Sequence, residues 1–230
     1  MNWNNAQLFR IELIFADLRN YQNLIEGFLL KEKKELEKEY DEADLEKESE
    51  KAGTEKEQYF LHLIDTFAER HREISRQFPH NFRASFLVQI ISVIESELKK
   101  ICDHYGSQSN QKFTVDSLKG SDDLEKYKNY LTTITEVDFK QFTEEWSFIK
   151  QSKLLRNKIV HHDSVIKRSD KNIINFAKKT NSIEFLNYEK LHIENIAFII
   201  VNSKLIDELL NTSEEFFKKL SRSGISYTPN

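Results

Sequence analysis

Only 5 glycines and 2 prolines occur in the 230 residues of this chain. Tight hairpins and sandwich corners need both residue types, glycine for positive φ and proline for a fixed φ. A turn-rich β architecture is therefore excluded, and helices joined by few turns remain. The same scarcity removes glycine loops that cradle phosphates: neither G-x-G-x-x-G nor G-x-x-x-x-G-K-[ST] occurs. The single cysteine, Cys102, leaves no intrachain disulfide and no multi-cysteine zinc site, and it reads as structural. The longest run drawn from I, V, L, F and A covers residues 197–201, far short of a membrane span. Residues 1–10 lack the basic region and apolar stretch of a signal peptide. The expectation is a soluble, cytoplasmic, all-α protein with no membrane partner.

Periodicity places the helices. Leu8, Ile11, Phe15, Leu18, Ile25 and Leu29 form one stripe, interrupted at Gln22, on a long helix starting near Trp3. The helix continues into a stretch of alternating charge with a sparse stripe of Leu36, Tyr40, Ala43 and Leu45, read as a helical arm partly in solvent. Ala52, Gly53 and Thr54 mark a turn. A second helix over 55–77 carries Phe60, Ile64, Phe67 and Ile74 and is expected to stop at Pro79 and to lie antiparallel on the first. A third, over 81–105, is apolar over most of its circumference and belongs at the centre of a bundle. Residues 106–123 read as loop, with short helices over 124–132 and 173–179. A helix is expected over about 138–163, a small hairpin within 182–193 and a final helix over 194–220. In domain terms, 1–58 is a long helix with a charged arm, 59–222 a helical domain and 223–230 a flexible tail.

The formal net charge of -4 hides an asymmetry. Residues 31–58 hold 7 Lys against 12 Asp and Glu, and residues 150–179 hold 9 Lys and Arg against 2 Asp. A basic block of that kind attracts phosphate-bearing partners or simply forms a solvated face. Its contents single it out. On a helix, Lys153, Asn157 and His161 stack along one line at i,i+4 spacing, with Arg156 beside it. Phe148, Leu155, Ile159, Ile149, Val160 and Leu154 surround them from several directions. A cation and an imidazole in such a setting call for an anionic partner, and a phosphate suits both: Arg binds it bidentately while His moves a proton.

The string L-R-N-x-I-V-H-x-D, from Leu155 to Asp163, resembles the signature helix of the HEPN superfamily, small all-α bundles of prokaryotic toxins, defence proteins and some RNA-processing factors. The likeness in helix order extends over roughly 59–220, while residue-level similarity is confined to the stretch from Arg156 to His161. What it implies is a HEPN-like bundle bearing a long N-terminal helical hairpin or arm, and a metal-independent endoribonuclease of a toxin or phage-defence system. Arg156 would polarise the scissile phosphate, His161 would transfer protons, and Asn157 would orient one or the other. The partner is RNA, the products a 2′,3′-cyclic phosphate and a 5′-hydroxyl, and two protomers would share one cleft. An antitoxin or defence partner could engage the arm. Where many such toxins carry Tyr two positions after the motif His, this chain has Asp163, so control by modification of that Tyr is not expected.

Further candidates come with bland alternatives. Lys153 and Lys158 are substrate-binding candidates or solubility residues. His162 falls near the Phe148–Leu155–Ile159 face and is expected to be a core histidine. Asp163 can orient an imidazole. Glu95 either pairs with Arg156 or faces solvent. His161, His162 and Asp163 are a poor metal set, because adjacent helical side chains diverge by about 100°. No metal and no cofactor are expected. The alternative to the enzyme is a non-catalytic HEPN-like module that binds a nucleotide or a protein.

Overall fold

The fold is all-α around a minor three-stranded sheet. The computed structural model describes residues 3–51, 53–108, 114–118, 120, 122–190 and 192–225. The expected loop over 106–123 and the tail therefore lie partly outside the described residues.

Helix α1, Trp3–Glu42, buries Ile11, Phe15 and Leu18 in the main core, and Leu36 farther along. The first half of α1 is thus part of the same core as the rest of the chain, not of a separate 1–58 unit. The break in its stripe is filled: Gln22 is buried and its Nε2 donates to Asp207 Oδ1 at 2.6 Å. Beyond Leu30 the arm is helical, with i,i+4 pairs Lys31–Glu35, Lys33–Glu37 and Lys38–Glu42 at 3.5–3.6 Å, each supporting the helix by a few tenths of a kcal/mol, roughly. The short α2, Leu45–Glu50, is capped by the Asp44 side chain, and Gly53 reverses the chain at φ +61. Helix α3, Lys56–Arg72, then returns against the end of α1, with Tyr40 edge-on to Phe67 at 5.4 Å and Arg70 paired to Glu39.

Pro79 does not end the helix. One wide π-turn, Glu73–Gln77, leads directly into α4, Phe78–Gln108. The Phe78 N–H donates to Glu73 O, so the extra residue in that turn gives the proline ring room that a regular α-turn lacks. Helix α4 is the centre of the bundle: Phe86, Leu87, Ile90, Ile91, Ile94, Leu98 and Ile101 are fully enclosed. Next come α5, Asp123–Thr135, and α6, Thr143–His162, the latter preceded by a 3₁₀ turn over Phe139–Phe142.

Two strands replace expected helix or loop. β1, Val165–Lys167, and β2, Ile183–Phe185, flank β3, Asn195–Ile200, both antiparallel to it. In register, Ile166 faces Ile196 and Phe185 faces Phe198. Between β1 and β2 lies α7, Lys171–Thr180, close to its expected place. The hairpin expected within 182–193 has its first strand only. The final helix α8, Lys204–Arg222, starts ten residues later than expected. The misreading has a simple cause. Ile196 and Ile200 are four residues apart, which both a helix and a strand place on one side. Phe198 decides between them: it is buried with Ile196 and Ile200, as only a two-residue period allows.

The turn from α6 into β1 is tight. Asp163 and Ser164 both have positive φ, 49 and 59. The Ser164 N–H donates to Lys158 O, and its carbonyl accepts from Phe198 N. The left-handed region costs an L-residue about 1–2 kcal/mol, and glycine escapes that strain while losing more chain entropy. Ser164→Gly keeps both backbone bonds. Its expected effect is a gain of roughly 0.5–1 kcal/mol in stability, read by thermal unfolding; a lowered midpoint would contradict it.

Candidate functional site

Helix α6 carries the motif, and its C-terminal half lies between the core and solvent. Ile149, Ser152 and Leu155 are buried, whereas Leu154 and Val160 are exposed. Enclosure is thus less complete than the apolar pattern implies. His161 and His162 are both exposed, and so is Asp163. His162 is not a core histidine: α6 ends there, and no element continues past the last turn to cover it.

The cations of α6 differ sharply in what holds them. Lys150 pairs with Glu125 at 2.5 Å. Lys153 sits between Glu95 at 2.7 Å and Asp122 at 2.9 Å. Lys158 pairs with Asp170 at 2.8 Å. Arg156 has no carboxylate in ion-pair range among the described residues. Its Nη1 donates to Asn157 Oδ1 at 3.1 Å, and its buried Nε has no acceptor among them. Asn157 therefore orients the arginine. Arg156 leaves α6 on the side of Ile149 and Ser152, so its reach to Asn157 bends the guanidinium towards the Asn157–His161 line.

Glu95 is settled as the partner of Lys153, not of Arg156. Burial pulls the Lys153 ammonium down, and its bonds to Glu95 and Asp122 outweigh that and hold it above the usual lysine value. Asp122 is shifted the opposite way: burial raises it, and the bond from Lys153 outweighs that and keeps it below the usual carboxylate range. Lys153 is thus occupied inside the protein, and Lys158 is tied to Asp170. Arg168 is also engaged, donating to the carbonyls of Tyr188, Lys190 and Ile193. Much of the basic block is consequently neutralised or committed, which leaves Arg156 as the distinctive anion-seeking group of α6.

Two residues that the sequence did not single out border this region. Asp122 caps α5, accepting from Leu124 N at 3.1 Å, and reaches Lys153 besides. An aspartate before a helix signals the cap but nothing of the lysine. His80, at the start of α4, accepts from Ile200 N through Nδ1 at 3.1 Å. Burial lowers its pKa, the charge of Arg83 lowers it further, and Asp163 at the end of α6 opposes both. Arg83 itself holds Glu26 bidentately at 2.7 Å and donates to Ile200 O.

His80 makes stability pH-dependent, and the sign follows from its lowered pKa. Between the folded value and the ordinary 6.5, the unfolded chain binds a proton that the folded chain does not. Stability therefore falls as pH drops through that window, above the range where carboxylates titrate. Protonation also removes the acceptor for Ile200. His80→Asn, whose Oδ1 can replace Nδ1, is expected to flatten the midpoint between pH values on either side of 6.5, relative to wild type. An unchanged slope would contradict it.

Cys102 is buried, and burial pushes its thiol up to about 12, so it supplies no thiolate. Among the described residues no His, Cys, Asp and Glu group is arranged to hold a metal ion, and no helix is long and apolar enough to cross a membrane. Three surface cavities do not include Arg156, Asn157 or His161. The largest of the three, about 820 Å³, is lined by Glu144, Glu145, Glu208 and Glu215 with Lys179, a poor lodging for phosphate. One of about 570 Å³ lies in the arm between Leu36, Tyr40, Ile64 and Phe67, and one of about 290 Å³ touches Trp146, Lys150 and Leu154.

No protein-family model, no curated protein and no solved structure matches this chain.

Proposed function

We propose that the protein is a metal-independent endoribonuclease of the HEPN type, acting as a toxin or antiviral effector. One observation carries the reading. Of the lysines and arginines of α6, Arg156 is the one without a carboxylate among the described residues, and Asn157 holds it in place one turn before an exposed His161. In the proposed reaction Arg156 binds the non-bridging oxygens of the scissile phosphate. His161 takes the proton of the 2′-hydroxyl or returns one to the 5′-oxygen. The 2′-oxygen bonds to phosphorus, the bond to the 5′-oxygen breaks, and a 2′,3′-cyclic phosphate and a 5′-hydroxyl result. The site is open, so a second protomer would supply the missing wall of a shared cleft. The roles of Lys153 and Lys158 are then to fix α6 through Glu95, Asp122 and Asp170, with contact to RNA secondary.

The test is cleavage of RNA by purified protein in excess EDTA, wild type beside His161→Ala, with analysis of the new ends. Cyclic phosphate that appears with wild type and is lost in the variant supports the proposal. Cleavage retained in the variant overturns it.

A second reading, a non-catalytic HEPN-like module that binds a partner protein through its arm, has an observation of its own. Helix α3 buries none of its described side chains, and the cavity it forms with α1 is lined by Leu36, Tyr40, Ile64 and Phe67. Absence of cleavage by wild type across RNA classes would favour it.

A further inference from the structure

The outward side of α1 is apolar where it should be polar. Phe9, Leu13, Leu24 and Phe28 are 62%, 47%, 69% and 55% exposed, on a helix whose opposite side is sealed into the core by Ile11, Phe15 and Leu18. At 100° per residue the four lie within an arc of about 100°, and they extend over roughly 30 Å of helix. Helix α3 meets α1 at Glu37, Glu39 and Tyr40, beyond this stretch. Together the four expose roughly 400 Å² of apolar surface, close to the apolar share of one side of a standard interface of about 800 Å² per partner.

The order of these residues identifies the occupant. Leu13 stands six residues before Arg19, and Leu24 six after Leu18. Phe9 stands ten before Arg19, and Phe28 ten after Leu18. The pattern is a palindrome centred between residues 18 and 19, as an isologous two-fold contact requires. In an antiparallel pair about that point, Phe9 of one copy meets Phe28 of the other, and Leu13 meets Leu24. The exposed polar residues match by the same rule. Asp17 falls opposite Asn20, so a carboxylate meets an amide donor and no like charges oppose.

We propose that this surface binds a second copy of the chain, α1 against α1, antiparallel, with the two-fold axis passing between Leu18 and Arg19. The proposal uses no residue of the α6 motif and stands whether or not RNA is cut, so its test reads assembly alone.

The first measurement is mass in solution across the micromolar range, by light scattering or sedimentation. Wild type is expected at two chains. Leu13→Asp with Leu24→Asp places four charges in the contact and is expected to weaken it roughly a hundredfold or more, giving one chain of unchanged helicity, because both sites are exposed. The second measurement fixes the geometry. In the antiparallel pair the two Asn20 positions are three residues apart along the axes, about 4.5 Å, within reach of a disulfide. The two Gly27 positions are seventeen residues apart, about 25 Å. A Cβ at Gly27 meets nothing within 4 Å, and the native Cys102 is buried, so neither confuses the result. Asn20→Cys is expected to link two chains under mild oxidation, and Gly27→Cys is not. A one-chain mass for wild type, a two-chain mass that survives the double aspartate variant, or linkage at Gly27→Cys as ready as at Asn20→Cys would each overturn the proposal.

Discussion

His161→Ala is expected to lower RNA cleavage by about a thousandfold or more while leaving thermal stability unchanged. The size follows from what a positioned proton-transfer group contributes, roughly 10²–10⁴ in rate. The unchanged stability follows from placement: His161 is exposed in the last turn of α6, and the changes expected at such surface positions are within about ±0.5 kcal/mol. Arg156→Lys is the more discriminating partner variant. It keeps the positive charge but loses the planar fork that can hold two phosphate oxygens, so a drop of about a hundredfold is expected. Parallel losses in both variants, at unchanged helicity, would tie the chemistry to the pair. A drop only in Arg156→Lys would leave binding without proton transfer. A loss in neither would refute the assignment of the α6 site.

The parts of the fold legible in the sequence are those where a single period governs a long segment. Helix α4 is surrounded by core, and its apolar residues cover most of its circumference accordingly. Gln22 marked a break in the α1 stripe, and the structure fills that break with a specific partner, Asp207. Legibility ends where two periods coincide or where the decisive neighbour is remote. Ile196 and Ile200 fit helix and strand alike, and the strands that hold β3 in place come from 165–167 and 183–185. Pro79 is a helix breaker in isolation, yet one wide turn accommodates it. At the candidate site the spacing of Arg156, Asn157 and His161 was readable because it is local. The anchoring of Lys153 was not: Asp122 lies 31 residues away along the chain, and no periodicity links it to α6. Charge counting has the same weakness. It gives the basic block its net sign but not the fact that Lys150, Lys153 and Lys158 are each already paired.

Phe216→Ala is expected to destabilise the protein by about 4 kcal/mol and to lower the unfolding midpoint by about 10 °C. Phe216 of α8 is fully buried, with ring centroids 5.6 Å from Phe142, 5.5 Å from Trp146 and 5.3 Å from Phe217. Phe139 packs on the same group, 5.3 Å from Trp146. These rings join the start of α6 and the turn before it to α8, so removing one opens a cavity that its rigid neighbours fill poorly. Edge-on and tilted ring pairs add roughly 0.5–1.5 kcal/mol beyond burial, which places this site at the upper end of the large-to-small range. Phe9→Ala is the matching control: the same deletion at an exposed ring is expected to change the stability of the monomer by less than about 0.5 kcal/mol. The contrast separates two uses of one residue type. Phe216 sets the position of α6 and hence of Arg156 and His161, so its loss should reduce the folded fraction on warming before it alters cleavage per folded molecule. Phe9 contributes nothing to that core, and its loss should register in the mass of the assembly instead. Equal midpoints for the two variants would show that the aromatic group does not hold α6 to α8.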